Sequence, residues 1–361
     1  MKRNLKAILS LAGLMTLGII SLASAGEWYE TVKLYGDLRF RYEDITSESN
    51  SLVYAYRDRE RVRARIGVQA ALDDYWMADF RLATDEAASA GANSGGDPIS
   101  TNQTLGDIET RKPIWVDLAY IQYKFLFNNG KLTAGKIKNP FERVGDSQLI
   151  WDSDLTPEGL GGNVNYEVMQ DVNLFLNGGG FWVKESSTGY DPMIYGAQLG
   201  TKAKLFDVKL TAGFGYFLYT DITNQAPYDW KVASPLSGMG NTIVNNKYIN
   251  NYMLGEGFVD CTLNLFDFPV KVYTDYVLNN GAGNYLNRGV YNRAYLVGLT
   301  FNKAAKEGSW ELGYNLRQIQ KDAVIGFLYL QPAEGPFFLF HEMDTDIIAE
   351  VVEDLRWKKS L

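Results

Sequence analysis

An alternation of period two, sustained over a dozen residues, is the feature that most constrains this chain. Val32, Leu34, Gly36, Leu38, Phe40 and Tyr42 take one side; Lys33, Tyr35, Asp37, Arg39, Arg41 and Glu43 take the other. Successive side chains of a strand point to opposite faces, so the segment reads as an amphipathic strand. The usual strand has about five or six residues. A tilted strand that crosses a membrane needs about 9–11. Length therefore favours a membrane-crossing strand over one from a soluble sandwich.

The pattern recurs as hairpins. Over 58–72, Val62, Ala64, Ile66, Val68, Ala70 and Leu72 share a side. Asp73-Asp74 makes a tight turn, and Trp76, Ala78, Phe80 and Leu82 resume the apolar side against Asp79 and Arg81. Further short connections fall at 128–130, 169–171, 206–207, 267 and 302–308. The strand near 114–126 alternates poorly, and its faces stay unassigned. Longer segments lie between the hairpins, near 44–57, 86–113, 139–162, 184–192, 218–252 and 279–292. Short periplasmic turns alternating with long outer loops are the habit of transmembrane barrels. Aromatics sort to strand ends: Trp76, Phe206, Phe266, Phe268 and Trp310 near the short turns, Tyr42, Tyr195 and Tyr216 at the opposite ends. Two such belts bound the apolar band of a barrel. The expected fold is all-β, a transmembrane antiparallel up-and-down β-barrel of about 14–16 strands over 26–330. Thirteen strands precede Phe327, with 323–330 a candidate fourteenth. Residues 331–361 form an atypical C-terminal end, irregular or helical, with Ile347, Ile348, Val351, Val352 and Leu355 at helical spacing.

The N-terminus points to export. Lys2, Arg3 and Lys6 precede an apolar run from Ala7 to Leu22, which closes on Ala23-Ser24-Ala25. That is the layout of a secretory signal peptide, residues 1–25. Removing those three cations from the 35 leaves 32 against 43 acids, a balance of −11. Nucleic-acid binding wants a basic footprint, so it is not expected. Cys261 and His341 each stand alone, which argues against a disulfide, a His/Cys metal site and a Ser-His-Asp enzyme. No cofactor, metal or catalytic group is expected.

The most unusual local feature is Arg59, Arg61, Arg63 and Arg65, all on one face, with Arg39, Arg41 and Arg81 from the flanking strands. Neighbours on that face lie about 7 Å apart. Two like charges at that distance cost about 0.6 kcal/mol in water, and several-fold more in a dry core. The face must be wet, which in a barrel means the lumen. Counter-charges stand in the third long loop, 139–162: Glu142, Asp146, Asp152, Asp154 and Glu158. Leu149, Ile150, Trp151 and Leu155 of that loop are poor residues to leave in water.

Four stretches carry a resemblance: Gly36-Asp-Leu-Arg-Phe-Arg-Tyr42, Arg61-Val-Arg-Ala-Arg-Ile-Gly67, Lys131-Leu-Thr-Ala-Gly-Lys136 with Asn139-Pro-Phe141, and Trp151-Asp-Ser-Asp-Leu-Thr-Pro-Glu-Gly159. On them the chain resembles the bacterial putative-porin family over roughly 30 to 327 and, more distantly, the general trimeric porins. The likeness implies an outer-membrane channel for small hydrophilic solutes and ions, in contact with outer-membrane lipid and assembled as a homotrimer. It also implies that the third loop folds into the lumen, with Asp152, Asp154 and Glu158 facing Arg61, Arg63 and Arg65, joined by Lys136. Porins usually end on a strand with a terminal aromatic; this chain ends Trp357-Lys-Lys-Ser-Leu361. Other readings stay open: a structural or adhesive barrel working through 86–113 and 218–252, a barrel hydrolase, or a soluble sugar-binding β-protein. The arginines favour anions, while the loop acids and the net charge favour cations.

Overall fold

Alternation becomes a meander. The computed structural model describes residues 31–48, 54–86, 96–106, 108–187, 189–228, 238–265, 268–284, 289–303 and 310–326. Segments 1–25 and 331–361, with His341, lie outside them. The strands in order are β1 (Val32–Glu48), β2 (Tyr54–Ala71), β3 (Trp76–Thr84), β4 (Gln103–Thr104), β5 (Ile114–Phe125), β6 (Gly130–Lys136), β7 (Glu158–Met169) and β8 (Val172–Trp182). They continue as β9 (Met193–Leu205), β10 (Val208–Thr220), β11 (Ile243–Val244), β12 (Lys247–Tyr248), β13 (Tyr252–Leu265), β14 (Phe268–Asn279), β15 (Arg293–Phe301) and β16 (Leu312–Ile319). One sheet of 14 strands runs β1-β2-β3-β5-β6-β7-β8-β9-β10-β13-β14-β15-β16, with β4 paired to β2 beside that path. Every pairing is antiparallel. This is the up-and-down order of a transmembrane barrel. Among the described residues β1 pairs with β2 alone and β16 with β15 alone.

The faces follow the alternation. Leu34, Leu38, Phe40 and Ile66 lie outward, Leu38 being 73% exposed. An apolar band this continuous would be a liability in water and is at home against lipid. Near the short turns Trp76 packs on Tyr123 with centroids 4.7 Å apart, and Phe268, Phe301 and Trp310 cluster at 5.6–6.0 Å. Tyr42, Tyr195 and Tyr216 are exposed towards the other ends of their strands.

Strand β5 explains its own poor alternation. Its register with β3 shifts between Arg81↔Leu118 and Leu82↔Val116, so Asp117 is an extra, bulged residue. Beyond the bulge the inward set changes parity, and both Asp117 and Leu118 are buried.

The interior is filled on one side. Ile137, Phe141, Leu149, Ile150 and Trp151 of the third loop join Phe181, Phe217, Tyr252 and Phe258 of the wall in one buried cluster. Three expectations change here. The third connection spans 137–157, because Gly159–Gly162 belong to β7 and pair with Gly178–Phe181. Gly161 clears space there: a Cβ on it would sit 2.7 Å from the Ile137 side chain. Segments expected as outer loops also reach inside: Ile222 and Tyr248 are buried, and β4 lies along β2. Finally, of the candidate fourteenth strand 323–330, residues 323–326 form no strand, and 327–330 lie outside the described residues. Ala323, Val324 and Ile325 turn into the core, where Asn241 donates to the Lys321 and Val324 carbonyls at 2.9 and 2.7 Å.

Candidate functional site

The arginine row is built by register. Arg39 stands opposite Arg63 and Arg41 opposite Arg61, pairs that repel. Two carboxylates offset this. Asp37 accepts from Arg63 at 2.9 Å and from Arg65 at 2.6 Å. Glu43 accepts from Arg59 and, at 3.2 Å, from Arg41, with Arg61 at 3.8 Å. Arg61 also reaches Glu86 at 3.4 Å and donates to the Asn102 carbonyl at 2.8 Å. Arg81 pairs with the bulged Asp117 at 2.6 Å. Arg39 donates to the Asn102 side chain at 2.6 Å. The row is thus partly offset by Asp37, Glu43, Glu86 and Asp117, and Asn102 adds hydrogen bonds to it.

The third loop is held by a different wall. Asn163, Asn177 and Gln198 stand side by side on β7, β8 and β9, and Glu256 follows on β13 beyond Gly215. Asn163 donates to Asn177 at 2.8 Å and Gln198 to Glu256 at 2.6 Å. This ladder also grips the loop backbone. Asn163 donates to the Pro140 carbonyl at 2.7 Å, and Gln198 accepts from the Glu142 N–H at 2.8 Å. Ser147 donates to Asp275 at 2.5 Å. Phe141 stacks on Trp151 at 5.5 Å and meets Phe217 edge-on at 4.9 Å. Phe141 can approach because Gly196 has no Cβ; one would lie 2.6 Å from its ring.

The loop acids scatter. Glu142 pairs with Lys202 of β9 at 2.6 Å. Asp146 ends a short 3-10 turn, Val144–Asp146, beside β14. Burial pushes the Asp152 carboxyl up to about 6, with Asp154 and Asp97 adding repulsion and Arg143 opposing it. Asp154 lies near Asp152. The described ion pairs of Arg61, Arg63 and Arg65 go to Asp37, Glu43 and Glu86, and not to this loop. Lys136 and Glu158 meet at 3.0 Å, but on the other face. Lys136 pairs in register with Ala119 and Glu158 with Trp182, one step along from outward Ile121 and Leu160 on alternating strands. Sequence reasoning missed the ladder, the 96–106 segment and the acids Asp37, Glu43 and Asp117. Of these acids, Asp37 and Glu43 stand on the non-apolar side of the first alternation.

A charged, partly wet lining inside a barrel, narrowed by an inserted loop, is a pore's arrangement. The family described as Putative porin matches residues 53–248, more than half of the chain. The chain belongs to that family. The porin is a channel-type barrel of the bacterial outer membrane. No curated protein matches the sequence. Among solved structures, Salmonella typhi OmpF in complex with daunomycin is 12% identical, with 84% of this chain and 94% of that one covered and a TM-score of 0.46. Pseudomonas putida OprB at high pH is 10% identical over 82% and 77%, TM-score 0.49. The outer membrane channel DcaP of Acinetobacter baumannii is 14% identical over 79% and 90%, TM-score 0.36.

Proposed function

We propose that this porin is a passive diffusion channel for small hydrophilic solutes and ions, exported by its first 25 residues and assembled as a homotrimer. One observation carries the reading. The third loop is pinned against β7–β14 by buried aromatics and the Asn163–Glu256 ladder, so the passage is left to the charged β1–β3 side. There Arg41, Arg59, Arg61, Arg63, Arg65 and Arg81 meet Asp37, Glu43, Glu86 and Asp117, and Arg39 donates to Asn102. A lining with both signs interleaved orients dipolar solutes and penalises apolar ones. It also predicts only a weak ion preference. The inward course of 96–106 and 238–252 weighs against an adhesive barrel working through those loops. Reconstitution of the refolded full chain in planar bilayers tests the reading. Stepwise conductance with a small reversal potential under a salt gradient is expected; a silent bilayer at every voltage sinks it.

A further inference from the structure

The wall that carries the third loop turns basic towards the short turns. Lys202 and Lys204 follow Gln198 on the inward side of β9, and Lys209 shares the inward side of β10 with the buried Phe217. Register sets these side chains in two adjoining rows. Lys204 stands opposite Lys209, Lys209 opposite Thr262 of β13, and Thr262 opposite Lys271 of β14. In the next row Lys202 faces Thr211, Thr211 faces Asp260, and Asp260 faces Tyr273. Directly opposed residues hold their Cβ atoms about 4.5–5.5 Å apart, and like charges so placed destabilise a sheet.

The four lysines are not equally engaged. Lys202 pairs with Glu142 of the third loop at 2.6 Å and lies over the Phe175 ring at 5.6 Å. Lys271 lies over the Tyr273 ring at 5.9 Å, and its charge acts with that of Lys202 on Asp260. Lys204 and Lys209 are exposed and take part in no ion pair among the described residues. Asp171 and Asp207, in the adjoining short turns, are not paired with them; Asp171 meets Lys204 only through its backbone carbonyl, at 2.8 Å from the Lys204 N–H. Two ammonium groups side by side, with a threonine in the next register place and a third lysine beyond it, suit an anion that carries several oxygens and more than one charge. Lysine serves phosphate as a point charge, and a charge-assisted hydrogen bond is about twice as strong as a neutral one.

We infer that this inward lysine row binds a small multivalent oxyanion of the phosphate class, bridged between Lys204 and Lys209 and completed by Thr262 and Lys271. The inference rests on the channel reading for the water that fills the lumen, while binding itself asks nothing of conduction. Calorimetry of the detergent-purified full chain with pyrophosphate, nitrate and putrescine tests it, at about 20 mM salt so that screening stays weak. Saturable binding of pyrophosphate alone is expected. Lys204→Gln with Lys209→Gln should weaken it by roughly tenfold or more. Asp260→Asn should tighten it, because that change removes the carboxylate of the patch. Lys124 and Lys131 form a second directly opposed pair on the inward side, but their row continues into Asn163 and not into a threonine and a third lysine. Lys124→Gln with Lys131→Gln should therefore leave the affinity unchanged. No saturable binding of pyrophosphate, equal binding of nitrate, weaker binding in Asp260→Asn, or an equal loss in the Lys124 and Lys131 double variant overturns the proposal. A silent bilayer with intact pyrophosphate binding leaves this site standing and counts against the channel reading alone.

Discussion

Asp37 decides how much of the arginine row a passing ion feels. It accepts from Arg63 and Arg65 together, at 2.9 and 2.6 Å. Asp37→Asn keeps the shape and removes the charge, so two guanidinium groups lose their counter-ion at once. The reversal potential should move toward anions under a salt gradient; no movement would mean that this part of the wall lies off the ion path. Asp152 sets a pH dependence of opposite sense. Its ordinary value is 3.8 and burial lifts it to about 6, so the carboxyl is neutral below that range and charged above it. Cation preference should therefore rise between about pH 5 and pH 7, and Asp152→Asn should flatten that rise. The linkage has a definite sign. Between those two values the folded chain holds a proton that the unfolded chain has released, so stability falls as pH rises through the window. The same substitution should raise the denaturant midpoint at neutral pH, because Asn can still accept from the Asp154 N–H, at 2.8 Å.

Strands were legible where alternation ran unbroken, and became illegible where one residue was added. The face of β1 could be read from Leu34 to Tyr42 because nothing interrupts its period. In β5 the Asp117 bulge changes the phase halfway, so no single parity fits the sequence. Leu149, Ile150 and Trp151 read as core residues in a loop, and they are buried. Its partners were hidden, because Asn163, Asn177, Gln198 and Glu256 sit on four strands and meet only once register is fixed. The acids of the loop were expected to face the arginines, but the nearer Asp37 and Glu43 had already taken them. The ladder yields its own test. Gln198→Leu strands the Glu142 N–H and the Glu256 carboxyl, at about 1–3 kcal/mol for each buried group left unpaired. The urea midpoint should drop, and single-channel current should become larger and noisier as the loop loosens. A lowered midpoint with unchanged current would show that the Phe141–Trp151–Phe217 packing alone holds the loop in place.

At the scale of the molecule, two inserts share one core. The third loop enters from β6 and β7; the 238–252 and 320–326 segments enter from β10, β13 and β16. Leu149 and Trp151 of the first belong to the same buried cluster as Tyr248, Val324 and Ile325 of the second. Asn241 fastens the second insert, donating to Lys321 and Val324 and accepting from the Gly326 N–H at 2.7 Å. Distant, independent sites usually add within about 0.3–0.5 kcal/mol, whereas sites that share a cluster do not. Asn241→Ala alone should destabilise the fold by leaving buried backbone groups unpaired. Combined with Gln198→Leu it should cost less than the two single losses together, because the first release already opens the cluster that the second would have disturbed. Denaturant unfolding of the two single variants and the double variant measures that coupling. Strict additivity would separate the inserts into independent units, each with its own hold on the wall, and conductance would then rise in two unrelated steps instead of one.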